Sequence, residues 1–320
     1  MERIFQKLNQ LLGGPQISIF HKFQKPPYGG GNQFLMALTK ELKRREVDIG
    51  SNTIGKNTRA VLFNSFEFDQ KKLERLHNKF HPRMIQRLAG PIGVYRGTDI
   101  EIDRKIWEWN GKFADSTIFI SEWSYNKYLE IGLKYKDPHV ILNAADPEIF
   151  HKNGRISGPD GSRKVKLIAT AWSDHPKKGG PLLSWLDEHL DHSRYELTFV
   201  GRTKASFRGA KLIEPVPSEE LAQILRQNDI YIAPSLDDPC SNALVEALTC
   251  GLPVVFRLSG GHPELVQGGG EGFNDESDIL QAIDKVAKNY TTYQSKISNP
   301  SIAQIAEKYL EVLIPGYEYK

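Results

Sequence analysis

The chain is poor in cysteine. Its 320 residues include only two, Cys240 and Cys250, which excludes a disulfide framework and a four-cysteine zinc site. On one shared helix they would stand about 15 Å apart, too far for a disulfide. Long apolar runs are missing too, and nothing approaches the roughly 20 residues of a membrane span. The opening MERIFQKLNQLLGG lacks the long apolar core of a signal peptide. No arginine-rich arm, zinc finger or aromatic RNA-binding motif is present, so nucleic acid is not an expected partner. No repeat recurs at a period of 20–50 residues. What is present is ordinary for a globular protein: 39% hydrophobic and 25% charged residues, enough to build packed cores. A cytoplasmic address is the expectation.

The net charge of +3 hides an asymmetry. Residues 1–150 hold 23 Lys and Arg against 17 Asp and Glu, a balance of +6; the rest hold 19 against 22, a balance of −3. Lys40, Lys43, Arg44 and Arg45 cluster at the end of one helical pattern, and Lys71, Lys72, Arg75 and Lys79 mark another. Such a half is a solvated basic face, or a surface that meets an anionic partner, including the inner face of a membrane.

Short apolar runs alternate with helical patterns. Strands are expected at 16–23, 60–66, 117–121 and 140–143, and helices at 32–45, 69–80 and 122–131. The stretch HKNGRISGPDGSRK, residues 151–164, is rich in Gly, Ser and charge and reads as a linker. The same rhythm then restarts. Strands are expected at 166–170, 195–200, 230–233 and 253–257, and helices at 182–189, 218–227, 242–250, 278–288 and 302–313. The expected class is therefore α/β, with two doubly wound Rossmann-like domains. Residues 1–150 form the first domain and 165–300 the second, while 301–320 carry a terminal helix. Such sheets bind ligands beyond the carboxyl ends of their strands, which places a ligand in an inter-domain cleft.

The segment Ala233–Val266, APSLDDPCSNALVEALTCGLPVVFRLSGGHPELV, carries the most chemical information. A strand ends at Ala233, and Pro234–Ser241 leads to a helix capped by Ser241 or Asn242. Gly251 stops that helix and Pro253 follows. The free N–H groups at the helix start suit a phosphate. Asp238 precedes the helix and Glu246 lies eight positions later. Carboxylates accept hydrogen bonds from sugar hydroxyls, so the pair and the N–H groups together can grip hydroxyls and a diphosphate.

This segment resembles the nucleotide-binding half of GT-B glycosyltransferases, specifically the retaining family 4. Their frame is P-S-x-x-E-G-F-G-x-x-x-x-E-A-x-x-x-G-x-P-V. Pro234, Ser235, Glu246, Ala247, Gly251, Pro253 and Val254 match it. Asp238 stands for the first Glu, and Pro239-Cys240-Ser241 for Gly-Phe-Gly. Gly260, Gly261 and Glu264 match the later Gly-Gly-x-x-Glu. Gly29, Gly30 and Gly31 resemble the family's glycine-rich loop, in which backbone N–H groups approach a phosphate or sugar. Residues 140–150, VILNAADPEIF, resemble the close of the first domain, with Asn143 and Asp146 structural. Trp172 through Gly179, WSDHPKKG, is similar to the phosphate clamp G-R-(x)4–5-K-G. The terminal helix 302–313 resembles the one that crosses back to the first domain.

The resemblance implies a transferase that moves a sugar from a nucleoside-diphosphate sugar to a hydroxyl acceptor, a glycan or lipid-linked saccharide, with retention. Asp238, Glu246 and Lys178 are the implied catalytic residues. Gly30, Gly31, Ser241, Asn242 and Ala243 are implied on the donor side, and the loop around Val216 is a candidate for the base by position alone. No cofactor and no metal are implied. Three departures stand out. The clamp arginine falls on Trp172, with Arg202 as the stand-in. A subgroup carries His-Arg-x-Asp-Gly-Pro and then Tyr-Arg-Gly; here those stretches read Gln86-Arg87-Leu88-Ala89-Gly90-Pro91 and Tyr95-Arg96-Gly97. Arg87, Arg96 and Asp99 are the acceptor-side candidates, with Asp103 nearby. Two alternatives stay open: a non-catalytic nucleotide-sugar-binding partner, motivated by Trp172, Gln86 and Ala89, and a nucleotide-sugar epimerase on the same fold.

Overall fold

The computed structural model describes residues 13–25 and 29–317. The described residues divide into two compact units, the first of residues 13–24, 35–142 and 302–317, the second of 25, 29–34 and 143–301. In chain order the first run of elements is β1 (Ile17–Phe20), α1 (Gly30–Arg44), β2 (Ile49–Ser51), β3 (Ala60–Asn64), α2 (Gln70–Phe80), β4 (Arg83–Leu88), α3 (Ile92–Arg96), α4 (Glu101–Phe113), β5 (Ser116–Phe119), α5 (Glu122–Glu130) and β6 (Pro138–Val140). The second run begins with β7 (Val165–Ala171), a 3-10 turn at Pro176–Lys178, α6 (Gly180–His189), β8 (Tyr195–Gly201), β9 (Lys211–Ile213), α7 (Ser218–Arg226) and β10 (Ile230–Ala233). It continues with α8 (Asn242–Thr249), β11 (Val254–Arg257), α9 (His262–Val266), β12 (Gly270–Phe273), α10 (Ile279–Lys288) and α11 (Tyr290–Ser295). Helix α12 (Ile302–Leu313) closes the series.

Each unit holds one six-stranded sheet, in the orders β2-β1-β3-β4-β5-β6 and β12-β11-β10-β7-β8-β9. Every pairing is parallel. Helices on both faces bury strands on both sides, which is why β1, β5 and β10 are wholly buried,. In the second sheet β7 continues to β8 on one side and pairs with β10 on the other. The strand order reverses there, where parallel sheets open a crevice at their carboxyl ends.

The core of the second unit packs Leu182, Leu183 and Leu186 of α6 and Ile279, Ile283 and Val286 of α10 onto Leu167, Ile230 and Val255. In the first unit, Phe20, Val61, Phe63 and Met84 pack with Leu73 of α2. Helix α12 belongs to this unit and buries Ile305, Tyr309, Leu310 and Leu313. Polar ties secure it. Arg87 donates to the Tyr309 hydroxyl at 3.1 Å, Arg83 to the Val312 carbonyl at 3.1 Å, and Arg45 to Glu307 at 3.1 Å.

Most expected elements are present with ends shifted by one to three residues. Helix α1 starts at Gly30, so Gly30 and Gly31 form its first turn rather than a loop; Pro26–Tyr28 lie outside the described residues. The strand expected at 140–143 sits at Pro138–Val140. Strands β2, β4, β9 and β12 and helices α3, α4, α9 and α11 have no counterpart in the sequence expectation. In β4, RMIQRL, polar residues occupy a buried strand: Gln86 and Arg87 are as inaccessible as Met84 and Ile85.

Candidate active site

A pocket of about 120 Å³ opens at the carboxyl ends of β7 and β8, beside the first turns of α8. Thr170, Ala171 and Trp172 come from the end of β7, Val200 and Gly201 from β8, and Asn242, Ala243 and Glu246 from α8. Gly29, Gly30 and Gln33 contribute from the start of α1, and Pro215, Val216, Ser218 and Leu221 from the approach to α7. All of these residues belong to the second unit.

Among the described residues Glu246 is the one carboxylate on the pocket wall. It is half-buried, and no hydrogen-bond or ion-pair partner engages it among the described residues. Burial alone pushes its carboxyl from an ordinary value of 4.5 up to about 8, because a charge without a partner is costly away from water. Helix α8 presents it. Ser241 caps that helix by accepting from the Leu244 amide at 3.4 Å, so its hydroxyl is used in the cap while Asn242 and Ala243 line the pocket. Asn143 donates to the Asn242 side-chain oxygen at 3.2 Å. Gly30 lies against Asn242 so closely that a Cβ would overlap the Asn242 amide, so glycine there is a packing requirement. Gly31 meets nothing within 4 Å of its Cβ position and does not line the pocket.

Asp238 and Lys178 form a second group on the same unit. The Lys178 ammonium donates to Asp238 at 2.8 Å, and Lys177 to Asp237 at 2.7 Å. Burial pushes the Asp238 carboxyl up, but Lys178 and His262 outweigh it and hold the group below its usual range. The loop is cross-braced. Leu236 donates to the Lys177 carbonyl at 2.8 Å, and Gly261 to the Asp238 carbonyl at 2.9 Å. The Asp237 amide donates to Ser259 at 2.9 Å. His262, fully buried, bonds Ser235 at 3.1 Å and the Arg257 carbonyl at 3.0 Å. Burial lowers its pKa. Buried Tyr231, bonded to Thr170 at 3.0 Å, feels both Glu246 and Asp238, so both carboxylates lie near the β10 end.

Trp172 stands where the clamp arginine was expected, and the Arg202 guanidinium lies over its ring at 4.4 Å from the centroid. Arg202 is exposed and sits at the rim of the pocket, not in its wall. Val216 lines the pocket. Gln33, Thr170 and Ser218 had no signal in the sequence; each is a lone polar residue at the end of a different element, and Gln33 donates to Ser218 at 3.4 Å.

The acceptor-side candidates are not gathered into one cluster. Arg87 is buried between Tyr309 and the Asn64 side chain, at 3.1 and 3.2 Å. Arg96 is exposed and stacks on Tyr95. Asp99 is exposed and accepts from the Glu101 amide at 3.0 Å. Asp103 is a structural cap. Fully buried, it accepts from the Ile92 and Gly93 amides at 2.8 Å each and closes the start of α3.

Among the described residues no cluster of His, Cys, Asp and Glu suits a metal ion, and no helix is long and apolar enough to cross a membrane.

Residues 181–289 match the family described as glycosyl transferases group 1. Anabaena Alr3699/HepE, solved in complex with UDP and glucose, superposes with a TM-score of 0.68 at 16% identity, covering 93% of this chain and 99% of that one. The catalytic domain of starch synthase IV from Arabidopsis thaliana, bound to ADP and acarbose, superposes at 0.69 with 11% identity, over 94% and 99%. Among curated relatives, the "Probable sucrose-phosphate synthase" of Thermosipho melanesiensis is 23% identical over 208 residues, 59% of this chain and 48% of its own. The phosphatidylinositol N-acetylglucosaminyltransferase GPI3 subunit of Saccharomyces cerevisiae is 35% identical over 165 residues, 46% and 36%. The chain thus spans half or less of the length of these curated relatives. The fold is GT-B, two parallel α/β sheets. A stretch of the chain's second unit thus resembles the group 1 glycosyltransferases.

Proposed function

We propose that the chain transfers a sugar from a nucleoside-diphosphate sugar to a hydroxyl acceptor, with retention of anomeric configuration. The observation that carries this is Glu246: a carboxyl with no partner among the described residues, in a pocket at the carboxyl ends of the strands, in a fold shared with Alr3699/HepE, which was solved with UDP. Glu246 accepts hydrogen bonds from the ribose hydroxyls. Donor hydroxyls give it the partners that the free protein lacks, and they favour its ionised form. Asp238 receives hydroxyls of the transferred sugar. Lys178 and the N–H groups at the start of α8 stabilise the charge that develops as the diphosphate leaves. The bond from the anomeric carbon to the phosphate oxygen breaks, and a bond from the acceptor oxygen forms on the same face. The acceptor's proton passes to the departing phosphate. This route uses no glycosidase-type pair of carboxylates and no metal, so EDTA should leave turnover intact.

Uridine is the first base to test, since Alr3699/HepE was solved with UDP. The acceptor class we propose is a glycan or lipid-linked saccharide, met through the basic residues of 1–150. A liposome pull-down insensitive to anionic lipid would remove the membrane part of that proposal. The decisive experiment is a thermal-shift panel of UDP, GDP, ADP, dTDP and CMP with their sugar conjugates. A ligand at 100 times its Kd adds about 2.7 kcal/mol of stability. A response to one diphosphate names the donor class, and an acceptor screen with that donor follows. A response without turnover on any acceptor favours a non-catalytic nucleotide-sugar-binding protein, and no response to any overturns the donor site.

A further inference from the structure

The family frame puts an arginine where this chain has Trp172, yet a guanidinium still reaches the place. Strands β7 and β8 are paired in register to their last residues, Ala171 opposite Gly201. The next residues, Trp172 and Arg202, therefore leave the sheet side by side. Gly201 makes this approach possible. Its φ is +136°, and a Cβ there would overlap the Ala171 carbonyl oxygen, so only glycine permits it. The Arg202 amide then donates to that same carbonyl at 3.0 Å, and its guanidinium lies on the indole at 4.4 Å. Two residues on, Lys204 pairs with Asp174 at 3.1 Å, fastening the same two loops a second time.

Arg202 is exposed, and a lone exposed arginine samples many rotamers. Ordering so long a side chain costs conformational entropy. A flat aromatic surface holds the guanidinium plane while leaving its five N–H donors at the edge. Trp172 itself lines the pocket beside Gly201 and Glu246, so the stacked cation is presented at the rim of the cavity that the donor enters.

Resting on the donor site proposed above, we propose that Trp172 is a positioning residue. Its ring holds Arg202 to bind the distal phosphate of the nucleoside diphosphate, and the pair replaces the arginine absent from the frame. The indole contributes orientation and the guanidinium contributes charge.

The test compares each diphosphate with its own monophosphate, UDP with UMP, GDP with GMP and ADP with AMP, by calorimetric titration. The full chain is used as wild type, Trp172→Ala, Trp172→Tyr, Arg202→Ala and the double variant. Removing a charge-assisted hydrogen bond is worth roughly tenfold or more. Trp172→Ala and Arg202→Ala should each lower the diphosphate-to-monophosphate affinity ratio by about tenfold. The double variant should lose no more than either alone, since both remove one unit. Trp172→Tyr, which keeps an aromatic face, should restore most of the ratio. Equal losses for diphosphate and monophosphate would overturn the inference, because Trp172 would then touch the nucleoside or merely support the fold. Additive losses would also overturn it, as would an unchanged ratio. A wild type that binds none of the three diphosphates would instead overturn the donor-site proposal on which this one rests.

Discussion

At the residue scale, the pocket sets binding against stability at one position. Glu246 keeps its proton to about pH 8 in the folded protein, against an ordinary value of 4.5. Between those limits the folded state binds more protons than the unfolded chain, so this group lowers stability as pH rises. Glu246→Gln removes the ionisable group while keeping the shape. Its melting temperature should exceed that of wild type at pH 8 and match it near pH 5, as differential scanning calorimetry can show. The same variant should lose about tenfold in nucleotide affinity, the cost of a charge-assisted hydrogen bond. A variant that becomes more stable while binding less is the mark of a residue retained for a ligand.

Asp238 carries the opposite arrangement. Its charge is already satisfied by Lys178 at 2.8 Å, so Lys178→Ala strands a buried carboxylate. Removing one partner of such a pair costs more than removing both. Lys178→Ala alone should lower stability by about 1–3 kcal/mol. Lys178→Ala combined with Asp238→Asn should recover most of that loss in urea titrations without recovering turnover. Full turnover in the double variant would remove both residues from the catalytic role proposed for them.

At the scale of elements, the loop between β10 and α8 and the turn between β11 and α9 act as one piece. Gly260 has φ +64°, and a Cβ there would overlap the Asp238 backbone oxygen. Gly260→Ala therefore has to move the Asp238 loop or strain its own backbone, at roughly 1–3 kcal/mol. Glu246 sits on α8, outside that contact. The expected outcome is a larger loss of turnover than of nucleotide affinity, read from kcat and from titration with UDP. Equal losses would show that the two carboxylates move together.

The same elements show what the sequence could and could not reveal. The β10–α8–β11 unit was legible because every signal agreed: an apolar strand, Ser241 as cap, Gly251 as stop and Pro253 beyond it. Glu246 was legible with it. Strand β4 was not, because Gln86 and Arg87 occupy buried positions that a hydrophobic pattern assigns to apolar residues. Arg87 is tolerated there because Tyr309 and Asn64 satisfy it, and Tyr309 lies 222 residues away in sequence. Asp103 looked like a candidate functional carboxylate for a related reason. Its two backbone partners at the start of α3 become visible only when α4 folds beside them. Gln33, Thr170 and Ser218 reach the pocket from three separate elements, and no local pattern marks a residue whose role depends on distant strands.

At the scale of the molecule, two sheets with separate cores imply that unfolding need not be a single all-or-none step. The core of the second unit gathers strands β7, β8, β10 and β11 with α6 and α10, and every described residue lining the pocket proposed for the nucleotide lies in that unit. A ligand stabilises whatever it binds by RT ln(1 + [L]/Kd), about 2.7 kcal/mol at 100 times Kd. For a unit of this size each kcal/mol raises the melting temperature by about 2–4 °C. Saturating nucleoside diphosphate should therefore move the transition of the second unit upward by about 5–10 °C, and Glu246→Ala should abolish most of that shift. Hydrogen exchange read by mass spectrometry can assign the protected segments. Protection should concentrate in the amides of β7, β8 and α8, whose ends form the pocket. Protection confined to residues 35–142 would place the nucleotide on the other sheet and reverse the assignment of donor and acceptor sides.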